Sequence, residues 1–250
     1  GDAKSEFTGS LPSLGSGSFG AATGTNLPGS AGNYYENIDN NNTQGLPASA
    51  YTESISLLSN REAFRYNVIS MPGIIADETN FATHFPVASQ LITAVEERGD
   101  AIVVLDIAGY GSNLTPVTTN AANYNTSYAA TYWPWVKTVE PNLGTQVWVP
   151  ASTMIPSVYA FNDRIAEPWF APAGQTRGLL PTVIRAERNL TQGNRDTLYD
   201  NKVNSIATFP NTGVVVFGQK TLQKRRSALD RVNVRRLLIE LKDFISQVAD

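Results

Sequence analysis

From residue 64 onward the chain alternates between two rhythms of apolar positions. In "FPVASQLITAVEERGD" Val87, Leu91, Ile92 and Val95 recur at helical spacing and Gly99 closes the run, which predicts a helix. On either side stand short β-branched or continuous apolar runs, "RYNVISMPGI", stopped by Pro72-Gly73, and "AIVVLDIAG", which read as strands. Strand, helix, strand with short links predicts a βαβ unit and hence parallel pairing. Upstream, "SAYTESISLLSNREAF" predicts a helix capped by Ser49, with Ile55, Leu57 and Leu58 on its buried side.

The second half follows the same grammar. "GSNLTPVTTNAANYNTS" reads as a polar loop, and "YAATYWPWVKTVEP" and "TQVWVPAS" as two strands of a hairpin around Pro141-Asn142. "ASTMIPSVYAFNDRIAEPWFAPAG" opens as a helix on Ile155, Val158 and Tyr159 and ends in an aromatic, proline-containing loop. "RGLLPTVIRAERNL" reads as a strand leading into a short helix, "TQGNRDTLYDNKVN". "IATFP" and "GVVVFGQKTL" are strands joined at Asn211-Thr212-Gly213. A last helix is expected from an N-cap at Asp230, with Val234, Leu237, Leu238, Leu241 and Ile245 as its buried stripe. Residues 1–47, rich in Gly, Ser, Asn and Pro, carry no such rhythm and read as an irregular arm or linker. The pattern is that of an α/β domain over residues 48–250, a mixed sheet flanked by helices, behind a long irregular N-terminal arm.

Composition narrows the chemistry. The 250 residues include no cysteine and one histidine, which excludes thiol nucleophiles, disulfides and cysteine metal sites. A net charge of -3 provides no global field for nucleic acid or an anionic membrane. No run approaches the length of a membrane-spanning helix, and "GDAKSEFTGS" lacks the basic and apolar regions of a signal peptide, so none is expected.

Three sets of residues bear on function. Asp106, at the end of "IVVLD", stands where nucleotide-hydrolysing enzymes place a carboxylate, but no phosphate-cradling glycine–lysine loop accompanies it, and Gly109-Tyr110-Gly111 lacks a third glycine. His84 could serve a hydrolase only with a nucleophile elbow, which is missing, so it reads as a polar residue at a helix start. Asp77-Glu78 and Glu96-Glu97 read as solvated ends. The basic residues gather late, at Lys220, Lys224, Arg225, Arg226, Arg231, Arg235 and Arg236. No stacking aromatics lie beside them, Glu240, Asp243 and Asp250 offset them, and Arg236 stands four residues before Glu240, the spacing of a helical ion pair. A charged helix face for protein contact is therefore expected, formed by Arg231, Arg235, Arg236, Glu240 and Asp243.

Four segments together resemble the contractile tail sheath proteins of myovirus-type bacteriophages. They are "WPWVK" (133–137) leading to Val149-Pro150-Ala151-Ser152, and "DRIAEPWFAPAGQTRG" with Asp163, Trp169, Pro172, Ala173, Gly174, Arg177 and Gly178. "RDTLYDNKVNSI" and "GVVVFGQKTL" followed by "DRVNVRRLL" complete the set, spread over residues 131–241. The resemblance implies a structural virion protein without catalytic residues or cofactor. Its implied partners are other sheath subunits in a six-fold helical assembly, the tail tube protein, and baseplate and tail terminator proteins, with neither nucleic acid nor membrane. Subunits would assemble in the host cytoplasm and contract by repacking to drive the tube through the host envelope. A tailocin or type VI secretion sheath shares that machinery. An α/β hydrolase-like enzyme using Asp106 or His84, and a nucleic-acid binder using the late basic cluster, are the competing classes. Sheath proteins continue beyond the arginine helix, so a core domain truncated at the C-terminus is expected, monomeric in solution.

Overall fold

The computed structural model describes residues 48–141 and 144–249; the expectation of an irregular arm over residues 1–47 lies outside them. Helix α1 (Ala48–Leu58) precedes β1 (Val68–Ile75), α2 (His84–Arg98) and β2 (Ile102–Asp106). Then come α3 (Leu114–Ala122), β3 (Ala129–Trp133), β4 (Val136–Val139) and β5 (Gln146–Val149). A 3-10 turn (Ala151–Thr153) leads into α4 (Ile155–Ile165) and the single turn α5 (Gly174–Arg177). The chain continues with β6 (Val183–Ala186), α6 (Gln192–Asp200), β7 (Val203–Phe209), β8 (Gly213–Phe217) and, after a second 3-10 turn (Ala228–Asp230), α7 (Val232–Ala249).

The larger sheet has the order β1-β2-β3-β7-β8. Pairing is parallel from β1 through β7, as the βαβ rhythm predicts, and β8 returns antiparallel on β7. Its central strands are apolar at nearly every position because both faces are covered. Val103 and Leu105 face one core with Val87, Leu91 and Val95 of α2, Val117 of α3 and Leu198 of α6. Ile102 and Val104 face the other with Ile155, Val158 and Tyr159 of α4 and Val232 and Ile239 of α7. The smaller sheet, β5-β4-β6, is antiparallel throughout, and its β4–β5 pairing is the expected hairpin.

Two departures from the sequence reading have local causes. The stretch "YAATYWPWVKTVEP" is two strands in two sheets, because Pro134, which follows a cis peptide bond, has no N–H for a ladder and β3 ends at Trp133. The supposed polar loop holds α3. Its few apolar residues still fall at helical spacing, with Val117, Asn120 and Ala121 buried, and Asn120 spends its amide on the Ile107 carbonyl at 2.9 Å.

Gly178 marks a close approach. A Cβ there would sit 2.5 Å from the Val216 carbonyl oxygen, because residues 178–180 run against the outer edge of β8 and cover it.

Candidate interaction site

Helix α7 is fastened by its polar residues. Arg236, 3 % exposed, donates two hydrogen bonds to Asp163 of α4, at 2.8 and 2.5 Å, and lies over the Tyr159 ring. Tyr159 in turn shares a 2.6 Å hydrogen bond with Tyr132 of β3. Burial pushes the Tyr159 hydroxyl up to about 12, so Tyr159 and Tyr132 form a neutral, hydrogen-bonded wall behind the Arg236–Asp163 charge pair. Arg235, 8 % exposed, donates to the Ser127 hydroxyl and stacks over Tyr128 at 3.9 Å. Asn233 donates to the Trp169 carbonyl at 3.1 Å. Further along, Lys242 reaches the carbonyls of Arg98 and Gly99 at the C-terminal end of α2, where a cation is favoured.

These placements correct three expectations. Arg235 and Arg236 point inward rather than forming an exposed charged face, and Arg236 pairs with Asp163, not with Glu240. The buried residues of α7 are Val232, Arg235, Arg236 and Ile239, whereas Leu238 and Leu241 are exposed and Phe244, Ile245 and Val248 are more so, at 63, 61 and 71 %. Among the described residues nothing covers that second apolar face. Asp230 does not cap α7; it ends the 3-10 turn before it, where its buried carboxylate receives Lys220 Nζ at 2.7 Å and Arg231 Nε at 3.3 Å. Of the five expected contact residues, Glu240 and Asp243 are exposed and Arg231 is half-buried.

Two of the cavities among the described residues bear on the charges around α7. One, of about 340 Å³, is lined by Glu240, Asp243 and Asp100, with Arg65 as the cation among them. The other, of about 290 Å³, lies before the start of the helix and is lined by Lys202, Lys220, Arg226 and Arg231 around Asp200, Asp230 and Tyr199.

The residues an enzyme would have used are tie-points. His84 is buried and its Nδ1 accepts the Ile75 N–H at 3.2 Å. Asp106 is buried and accepts the Ser152 N–H at 3.0 Å and the Ser152 hydroxyl at 2.5 Å, which fixes the "VPAS" turn beneath the end of β2. Burial pushes the Asp106 carboxyl up to about 7, against the opposing pull of its bonds from Ser152 and Gly73. Asp77, expected as a solvated end, is buried and holds the N–H groups of Thr79 and Asn80 in an Asx turn. The sequence reading passed over Arg98, buried at the end of α2, which donates to Asp100, Leu58 and Phe64 and so ties the α1–β1 connection down. Its position in the last turn of a helix was the available signal. Among the described residues no cluster of His, Asp or Glu could hold a metal ion, and no helix is long and apolar enough to cross a membrane.

Buried charges serve as internal ties, and α7 turns apolar residues and carboxylates outward, the arrangement of a domain with a surface open to packing. The chain belongs to the phage tail sheath family, matching the model of the phage tail sheath protein central domain over residues 44–222. It is 29 % identical over 208 residues to the tail sheath protein of Vibrio phage KVP40, covering 82 % of this chain and 30 % of that relative, so it spans less than a third of the relative's length. Among solved structures it is similar to the sheath complex of an extracellular contractile injection system, PVC, in the contracted state. That likeness has 25 % identity and a TM-score of 0.52, over 63 % of this chain and 44 % of the other. The baseplate of the anti-feeding prophage in its contracted state shares the fold, with a TM-score of 0.65 at 17 % identity, over 82 % of this chain and 56 % of that one.

Proposed function

We propose that this chain is the central domain of a contractile tail sheath subunit, which packs with copies of itself around a tail tube and contracts to drive the tube through a host envelope. The observation that carries the reading is the family match over residues 44–222, which takes in every strand of the larger sheet. A sheet covered on both faces, with its helices pinned by Arg98, Asp163–Arg236 and Asp106–Ser152, suits a block that moves as one body while the contacts around it change. Work would come from repacking between subunits, with no nucleotide, cofactor or catalytic residue. The tail tube, baseplate and terminator proteins are the other partners of this reading, the virion is its location, and assembly takes place in the host cytoplasm. Electron microscopy of the full-length protein that contains this chain is the test: hollow tubes of six-fold helical symmetry are expected, and a protein that stays dispersed under all conditions overturns the reading.

A second reading keeps the mechanism and changes the vehicle. Likeness to the PVC sheath favours a non-viral contractile injection system, whereas the curated relative is a phage protein. The genes beside this one separate the two, since a phage particle requires capsid and genome-packaging proteins and an injection system does not.

A further inference from the structure

The basic cavity before α7 has more cations than its own carboxylates satisfy. Asp230 is occupied twice, by Lys220 at 2.7 Å and by Arg231 at 3.3 Å, and Arg231 also donates to Tyr199. Lys202 and Arg226 line the same cavity and take part in none of the ion pairs formed among the described residues. Burial lowers the Lys202 pKa first and the nearby charge of Lys220 and Arg226 lowers it further, while Asp230 and Asp200 oppose them. Lys202 also has φ of +67°, a left-handed conformation where glycine is the unstrained choice. Asp200 is the other carboxylate of the cavity, so four cations face two carboxylates, and a lysine kept at a strained turn within that excess points to an anion supplied from elsewhere.

Helix α7 indicates the source. Glu240 and Asp243 are exposed, one turn apart, and also take part in none of those ion pairs. They follow Arg231 by nine and twelve residues, so on a straight helix they lie roughly 14 and 18 Å from the cavity. They cannot fold back into it, whereas a second copy can bring them there. We propose that the cavity around Lys202 and Arg226 receives the Glu240–Asp243 carboxylates of a neighbouring copy of this chain. Different patches then meet on the two copies, and such a head-to-tail contact repeats into rings or helices rather than closing as a dimer. The inference rests on the reading of the chain as a sheath subunit and supplies one of its contacts. Alone, such a contact is weak, with Kd on the order of 0.1–1 mM at low salt, so the chain remains monomeric at micromolar concentration.

Sedimentation and amide NMR shifts of the 250-residue chain, followed from about 20 to 500 µM, test this. Wild type is expected to associate at low salt, with shifts at Lys202, Arg226 and residues 240–243, and to lose the association about tenfold in 0.3 M salt. K202E/R226E and E240K/D243K are each expected to abolish it, and mixing these two variants restores it, since each then carries the charge the other lost. K202G/R226Q provides the check on folding: it removes the charge and the positive-φ strain, so it should melt no lower than wild type and still fail to associate. Association that persists in both reversed variants overturns the cavity contact and leaves the sheath reading standing. A wild-type chain with no salt-sensitive association overturns the contact, while the sheath reading is judged by tube formation of the full-length protein. Shifts reproduced by inorganic phosphate, in a chain that does not self-associate, would reassign the cavity to free anions and overturn the proposal.

Discussion

The two halves of α7 invert the usual arrangement of a helix. From Val232 to Glu240 the core side includes two arginines, and from Leu241 to Val248 the apolar side chains Leu241, Phe244, Ile245 and Val248 face out. What differs is the partner each half meets. Asp163, Ser127, Tyr128 and Tyr159 offer the first half a carboxylate, a hydroxyl and two ring faces, so its charges are paired as they are buried. Among the described residues, the hydrogen bonds that the second half makes outside its own helix go to the end of α2, through Lys242. A charge goes inside when its partner is already there, and an apolar face stays outside when nothing in the described chain covers it.

The largest expected effect tests the converse, a buried carboxyl held by hydrogen bonds without a cation and therefore costly to ionise. Asp106 titrates near 7 in the folded protein against 3.8 in an open chain, so the folded state holds a proton that the unfolded state releases. This stability is fully present below about pH 4 and is lost as pH rises through about 7, up to about 4 kcal/mol for a shift of this size. Urea unfolding at pH 4, 6 and 8 should show that slope in wild type and a flatter one in D106N, whose amide can still accept the Ser152 N–H and donate to its hydroxyl. Equal slopes would mean that Asp106 is no more costly to ionise than a surface acid.

Next comes D163A. It strands Arg236 in the core, and removing one partner of a buried pair costs about 3–5 kcal/mol. The partial exposure of Asp163 places the loss near 3 kcal/mol. Thermal unfolding of D163A beside E240A decides between the two possible partners of Arg236, since E240A should leave Tm within about a degree. R235A is smaller, about 2 kcal/mol, through the lost stacking on Tyr128 and the unpaired Ser127 hydroxyl.

How much of this was legible follows the same division. The βαβ unit, the β4–β5 and β7–β8 hairpins and the helix at Val87–Val95 were readable because their apolar periods stand clear of the background. Helix α3 was not, since its Thr and Asn content masks a three-residue buried face, and the β3–β4 break required giving Pro134 more weight than the apolar run around it. The resemblance located the right residues without their geometry. Asp163 and Arg236, quoted from separate motifs, turn out to be bonded to each other, and Ser152 of the "VPAS" element is bonded to Asp106. Period alone cannot reveal such pairs. It locates a stripe on α7, but which side is buried is set by residues 70 to 110 positions away in the chain.

The smallest expected effect lies in the outer half of α7, and it separates stability from assembly. Phe244, Ile245 and Val248 are more than half exposed, so F244S, I245S and V248S should each change unfolding free energy by less than about 0.5 kcal/mol. Serine matches Phe, Ile and Val in helix propensity, so the small loss comes from the apolar surface that each side chain still buries. The same three changes remove a row of exposed apolar groups spaced at one helical turn, and a contiguous apolar face on a structural subunit is where another chain packs. In the full-length protein the triple variant should therefore melt within a few degrees of wild type yet form fewer or shorter tubes, measured by pelleting and microscopy. A triple variant that loses more than about 2 kcal/mol would show that this face is buried within the subunit itself, and the contrast between the two halves of the helix would be confined to this stretch of chain.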